Sequence, residues 1–124
     1  MGSSPKKLRA LADRLDSLPP DEFMRWADGV PQYSQLADDW ISALKSLGAL
    51  RGSKIYDDIL EGKHPKPTVS AIEAADRASL VGYATYLWRG EKFCYGFLGG
   101  CHADGSLSAV LRRFAELEKR RWFF

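Results

Sequence analysis

Apolar side chains recur at intervals of three and four along nearly the whole chain, the spacing that lines one face of an α-helix. Leu8, Leu11, Leu15 and Leu18 form the first such stripe, flanked by Lys7, Arg9, Asp13, Arg14 and Asp16. Ser4-Pro5 supplies its cap and a first position where proline is tolerated, and Pro19-Pro20 ends it. Pro20 opens a short second helix, with Asp21 and Glu22 at its positive end and Phe23, Trp26 and Ala27 facing inward. Asp28-Gly29-Val30-Pro31 reads as the turn that closes that helix. A third helix is predicted from Ser34, carrying Leu36, Trp40, Ile41, Leu44 and Leu47 before Gly48 stops it.

Residues 48–67 read as an irregular connection holding Gly52, Gly62, Pro65 and Pro67. Within it Ile55–Leu60 suits a single helical turn better than a short strand, because few residues elsewhere remain to pair with a strand. Ser70 and Glu73 then have capping-box spacing. The helix they open runs through Leu80, Tyr83, Ala84 and Leu87, with Ser79 as the point where it would break and Gly90 as its stop. Phe93, Phe97, Leu98 and Cys101 suggest another short helix, ended by Asp104-Gly105. Ser106 is placed to cap the last one, whose stripe is Leu107, Val110, Leu111, Phe114 and Leu117, extended by Trp122. The expected fold is a single compact all-α domain over residues 1–124, with about five to seven short helices.

Composition narrows the class without naming an activity. A chain of 124 residues, 45% hydrophobic and 27% charged, has the balance of one globular domain rather than of a disordered chain. No apolar run approaches the roughly 18–20 residues of a membrane span. Met1–Lys7 leads into an amphipathic segment instead of an apolar signal region. On one continuous helix Cys94 and Cys101 would stand about 10.5 Å apart, too far for a disulfide. A reduced, cytoplasmic protein that makes no membrane contact is therefore expected.

The stretch Asp76–Leu117 carries a family pattern. An apolar helix ends in Arg89-Gly90-Glu91-Lys92-Phe93; Gly96, a short helix and Gly105 follow; Leu107, Leu111, Arg113 and Phe114 lie in a Leu-rich closing helix. In this it resembles the bacterial DUF 6508 family, a domain of unknown function, over roughly Tyr56–Leu117. The resemblance implies a small helical fold and brings no catalytic residues with it. Physically, the motif Arg89, Gly90, Glu91, Phe93 and Gly96 reads as a fold-holding corner. Gly90 would end one helix at a close angle to the next, Phe93 would pin the corner into the core, and Arg89 and Glu91 would pair across it.

Candidate chemistry is sparse. Cys94, Cys101 and His102 do not have zinc-site spacing, and His64 is the one other imidazole. The plainer reading is two buried small side chains beside a surface imidazole. A nucleophile built from Cys94 or Cys101 with His64 and Asp57 has no local signature. The paired acids Asp38-Asp39 and Asp57-Asp58 diverge on a helix, so they do not share one proton. No cofactor, metal or small-molecule substrate is expected, and no enzymatic activity.

Binding is the remaining class. The net charge is only +2, yet Arg112, Arg113, Lys119, Arg120 and Arg121 gather near the finish, followed by Trp122, Phe123 and Phe124. Trp and Arg are the residues most enriched in binding hot spots, which favours contact with a protein partner, or self-association, through this closing helix and tail. A regulator or an inhibitor carried by a mobile element would belong to this class. The alternative is a nucleic-acid-binding accessory protein that uses the same basic helix, with its aromatics stacking on bases.

Overall fold

A computed structural model describes residues 4–122, with side chains through Arg120. Among these residues eight helices and one hairpin follow in order: α1 (Pro5–Ser17), α2 (Pro20–Phe23), β1 (Met24–Ala27), β2 (Val30–Tyr33), α3 (Gln35–Ser46), α4 (Lys54–Leu60), α5 (Val69–Glu73), α6 (Arg77–Phe93), α7 (Phe97–Ala103) and α8 (Ser106–Trp122). The domain is mostly helical, but it has eight helices instead of five to seven, and it is not purely α. None of the helices is long and apolar enough to cross a membrane.

The first and last helices pack lengthwise and form the spine. Leu8, Leu11, Ala12 and Leu15 of α1 bury one face, and Leu107, Val110, Leu111, Phe114 and Ala115 of α8 bury the facing one. Each large aliphatic side chain taken fully out of water contributes about 1.5–3 kcal/mol, so these two stripes dominate the core. Trp40 of α3 closes it from the side: the indole is wholly buried, and Nε1–H donates to the Leu107 carbonyl at 3.0 Å. Helix α4 lies on α6, and Thr85 of α6 fastens the connection before α4 by accepting from the Gly52 N–H at 3.1 Å.

Several local expectations are corrected. The second helix stops at Phe23, and the chain turns into an antiparallel hairpin pairing Met24 with Tyr33 and Ala27 with Val30. Asp28 and Gly29 both have positive φ (54° and 76°), the two-residue turn whose twist suits a hairpin. Trp26 is consequently not inward but 55% exposed. Lys54–Leu60 is a seven-residue helix, capped by the Ser53 hydroxyl, which accepts from the Tyr56 N–H. At α5 the cap is Thr68, not Ser70; its hydroxyl accepts from Ala71 N–H at 3.1 Å. The break before α6 falls at residues 74–76 instead of near Ser79, because Asp76 caps the new helix by accepting from Ser79 N–H at 2.8 Å. At the start of α8 the Asp104 carboxylate, not the Ser106 hydroxyl, holds the backbone, accepting from Ser106 N–H at 2.9 Å.

Candidate functional site

The last turn of α6 and the three-residue link to α7 form a corner where the chain's least ordinary features meet. Helix α6 does not end at Gly90; it continues through Phe93. Gly90 is needed for another reason. The Phe97 ring of α7 lies directly on it, and a Cβ there would run into that ring. The link then passes through Gly96 at φ +89°, over which the Trp26 indole from the hairpin closes, 2.7 Å from where a Cβ would stand.

Glu91 organises this corner. Its Oε1 accepts from the Tyr33 hydroxyl at 2.6 Å and from the Leu98 N–H at 2.9 Å, while Oε2 accepts from the Gly96 N–H at 3.0 Å. The Tyr33 oxygen in turn accepts from the Gly99 N–H at 3.2 Å. The carboxylate thus satisfies backbone donors at the start of α7 that the helix cannot satisfy itself. It makes no pair with Arg89, which was the expected arrangement. Burial, and then the bond to Glu91, push the Tyr33 pKa well above its usual value. Tyr33 is therefore a poorer acid than a free phenol, and all the bonds the two groups make are internal.

Phe93, expected to pin the corner into the core, is 82% exposed. The core beneath the corner is already filled by Leu87 and Leu98, and Phe97 takes the inward place beside Gly90. Tyr95 (63%) and Leu60 (59%) are also exposed, and with Trp26 they make four large apolar side chains turned to water. Phe93 and Leu60 stand at the mouth of a 270 Å³ cleft between α4 and the corner, whose walls are Tyr56, Tyr86, Gly90, Cys94 and Phe97. On the other side of α6 a 220 Å³ hollow is lined by Tyr33, Ile41, Trp88, Glu91 and Lys92, among others. A wider hollow of 530 Å³ between α1 and the start of α3 is lined largely by Asp13, Arg14, Ser17, Ser34 and Gln35, away from the exposed aromatics.

Cations gather around Trp88, which lines the second of these hollows. Arg89 lies 5.6 Å over the Tyr56 ring and 5.9 Å from that of Trp88, and Lys45 and Lys92 approach Trp88 to 5.8 and 6.0 Å. None of the three has an ion-pair partner among the described residues.

A profile of a family of unknown function, DUF6508, matches residues 3–120, almost the entire sequence. The chain belongs to this family. No curated protein and no solved structure matches it. In this DUF6508 member the motif Arg89–Phe93 splits by direction: Gly90 and Glu91 hold the fold, while Arg89, Lys92 and Phe93 face outward.

The basic closing helix is less free than its sequence suggests. Arg112 reaches α1 and donates to Asp13 at 2.8 Å and Asp16 at 2.6 Å. Arg113 donates through Nε to the Ala75 carbonyl at 2.8 Å and pairs with Glu116, as does Arg120. Lys119 is exposed. The side chains of Arg121 and Trp122, and the whole of Phe123 and Phe124, lie outside the described residues, so the expectation placed on the tail does too.

The cysteine expectations change as well. Cys101 is buried, whereas Cys94 is exposed at the corner instead of buried, because it sits where α6 ends. His102 is not a surface imidazole. It stacks on Phe23 with 4.3 Å between ring centroids, and its Nε2 lies 2.9 Å from the Leu15 carbonyl, which leaves Nδ1 without a partner. His64 lies against Tyr83. Among the described residues no three His, Cys, Asp or Glu side chains converge as metal ligands. Neither composition nor periodicity joins Tyr33 to Glu91 or Lys45 to Trp88, since the members of each pair are far apart in sequence.

Proposed function

We propose that this DUF6508 protein is a non-catalytic binding protein whose partner is another protein, docked on the apolar face of the α6–α7 corner. The observation that carries the reading is the 82% exposure of Phe93 beside a cleft walled by aromatic rings. A phenyl ring left mostly in water at the end of a helix contributes little to folding, but it is a ready anchor for a partner. Tyr95, Leu60 and Trp26 enlarge the same kind of surface.

The nucleic-acid alternative draws less support, because Arg112, Arg113 and Arg120 are already engaged with acids or backbone of the same chain. A tail contact through Trp122–Phe124 remains part of the protein-binding proposal and is separable by truncation. The decisive experiment is affinity capture from the native cell with three baits: the full chain, a Phe93→Ser/Tyr95→Ser variant and a chain ending after Lys119. Loss of a specific protein in the double variant, with its melting temperature unchanged, supports the corner. Undiminished capture by that variant rejects it, and loss only on truncation moves the contact to the tail.

A further inference from the structure

We infer that the segment received at the α6–α7 corner is an acidic, apolar stretch of a partner protein, with one large apolar side chain seated in the cleft beside Phe93 and its carboxylates against Arg89 and Lys92. The inference rests on the binding role proposed above and specifies its ligand.

The size of the cleft limits what enters it. Small-molecule sites commonly enclose about 300–1,000 Å³, so a 270 Å³ cleft suits a single side chain better than a free ligand. The walls Tyr56, Tyr86, Phe93 and Phe97 are aromatic, and Arg89 is the one charged group lining it. An apolar occupant is thus favoured inside, and a negative charge at the rim.

The charge pattern supplies the second half. Arg89, Lys92 and Lys45 surround the half-buried Trp88, close enough to its ring face for cation–π attraction. Three cations held near one ring repel one another, and they have no ion-pair partner among the described residues. Neighbouring acids are mostly committed elsewhere: Glu91 to Tyr33 and backbone N–H groups, Asp58 to Lys54, Glu61 to Lys63. Asp57 is exposed on α4, and Asp38 lines the hollow beyond Trp88 with Lys92; even with both counted, the cations are in excess. A carboxylate arriving from outside would relieve that repulsion and would bring no unpaired charge of its own into the contact. Arg89, its guanidinium 5.6 Å from the Tyr56 ring centre, stands at the rim of the cleft where such a carboxylate would arrive.

The test is selection of random dodecapeptides displayed on phage against the folded full-length chain. Enriched peptides that combine a large apolar residue with Asp or Glu support the inference, provided their affinity falls about tenfold or more in Arg89→Glu/Lys92→Glu and weakens with added salt. The neutral pair Arg89→Gln/Lys92→Gln, expected to show a smaller loss, gives the same reading if the charge reversal disturbs folding. Neutral or basic peptides that still need Phe93, or acidic ones indifferent to both charge variants, overturn this inference and leave the binding role standing. Peptides indifferent to Phe93→Ser as well, or no enrichment at all, remove the corner as a docking site.

Discussion

Glu91 and Tyr33 meet across 58 residues of chain, with their oxygens 2.6 Å apart. The contact joins the hairpin to the α6–α7 corner, and through Gly99 N–H, which donates to the same tyrosine oxygen, it also fixes α7. Glu91 is the node because it alone reaches Gly96, Leu98 and Tyr33 together.

Tyr33→Phe removes one donor to the carboxylate and the acceptor of the Gly99 N–H. Leaving a part-buried donor unmet costs about 1–3 kcal/mol, and that is the expected loss in a urea melt, with little change in slope. Glu91→Ala should cost more than Tyr33→Phe, since it strands two backbone N–H groups and a hydroxyl at once. Variants both as stable as the wild type would show that the corner is held by packing alone.

Gly90→Ala sets two effects against each other. Inside a helix, alanine is better than glycine by about 1 kcal/mol. Here its methyl group would meet the Phe97 ring, and overpacking of this kind costs about 1–3 kcal/mol. The expected outcome is a net loss of stability, measured by thermal or urea unfolding. Phe97→Leu in the same background should recover part of it by vacating the space.

The helical spine was legible because α1, α3 and α8 carry leucine-rich stripes long enough for the period to declare itself, with a serine or a proline at the start of each. The hairpin was not. Its strands are four residues each, too short for alternation, and Trp26 sat at a helix-like interval from Phe23. Asp28-Gly29 suits a helix end, yet the same dipeptide is a strong hairpin turn, and that is the part it plays here. At the corner the motif is visible in the sequence, but its contacts are not. Gly90 looked like a stop because its packing partner Phe97 lies on the next helix, and Glu91 looked free because Tyr33 is distant in sequence. Which aromatic is left outside a full core depends on tertiary packing, so nothing local marked Phe93 as exposed.

Arg112 ties α8 to α1 through Asp13 and Asp16. All three groups are substantially exposed, and such pairs contribute about 0–1 kcal/mol, so Arg112→Met should lose no more than that and the loss should shrink in molar salt. Burial alone would raise the Asp16 pKa, but hydrogen bonds with Ser108 and Arg112 outweigh it and leave it below the ordinary 3.8. A lowered carboxyl stabilises the fold above its unfolded pKa, and that contribution disappears as acid protonates the folded form. The wild type should therefore lose stability below about pH 4 more steeply than Arg112→Met does, which parallel acid titrations of the melting temperature would reveal.

The two thiols should behave as chemically different groups. Cys94 is exposed, whereas burial, with Asp104 and Glu91 nearby, pushes the Cys101 thiol from 9.0 to about 12. A thiol-specific chromogenic reagent at mildly alkaline pH should label Cys94 promptly in the folded protein and Cys101 only on unfolding, since the thiolate is the reactive form. The same shift makes a stability prediction. The folded state keeps the Cys101 proton after the unfolded chain releases it, so the contribution is complete below about pH 9 and is lost as pH rises through the folded value near 12. One such group gives a slope of about 1.4 kcal/mol per pH unit across that window. Cys101→Ala should be less stable at neutral pH, because it leaves a small cavity, yet flatter between pH 9 and 12. Tyr33 and Tyr83, both raised by burial from 10.0, would keep some alkaline slope in the variant. An unchanged slope in Cys101→Ala would locate the alkaline transition in those tyrosines instead.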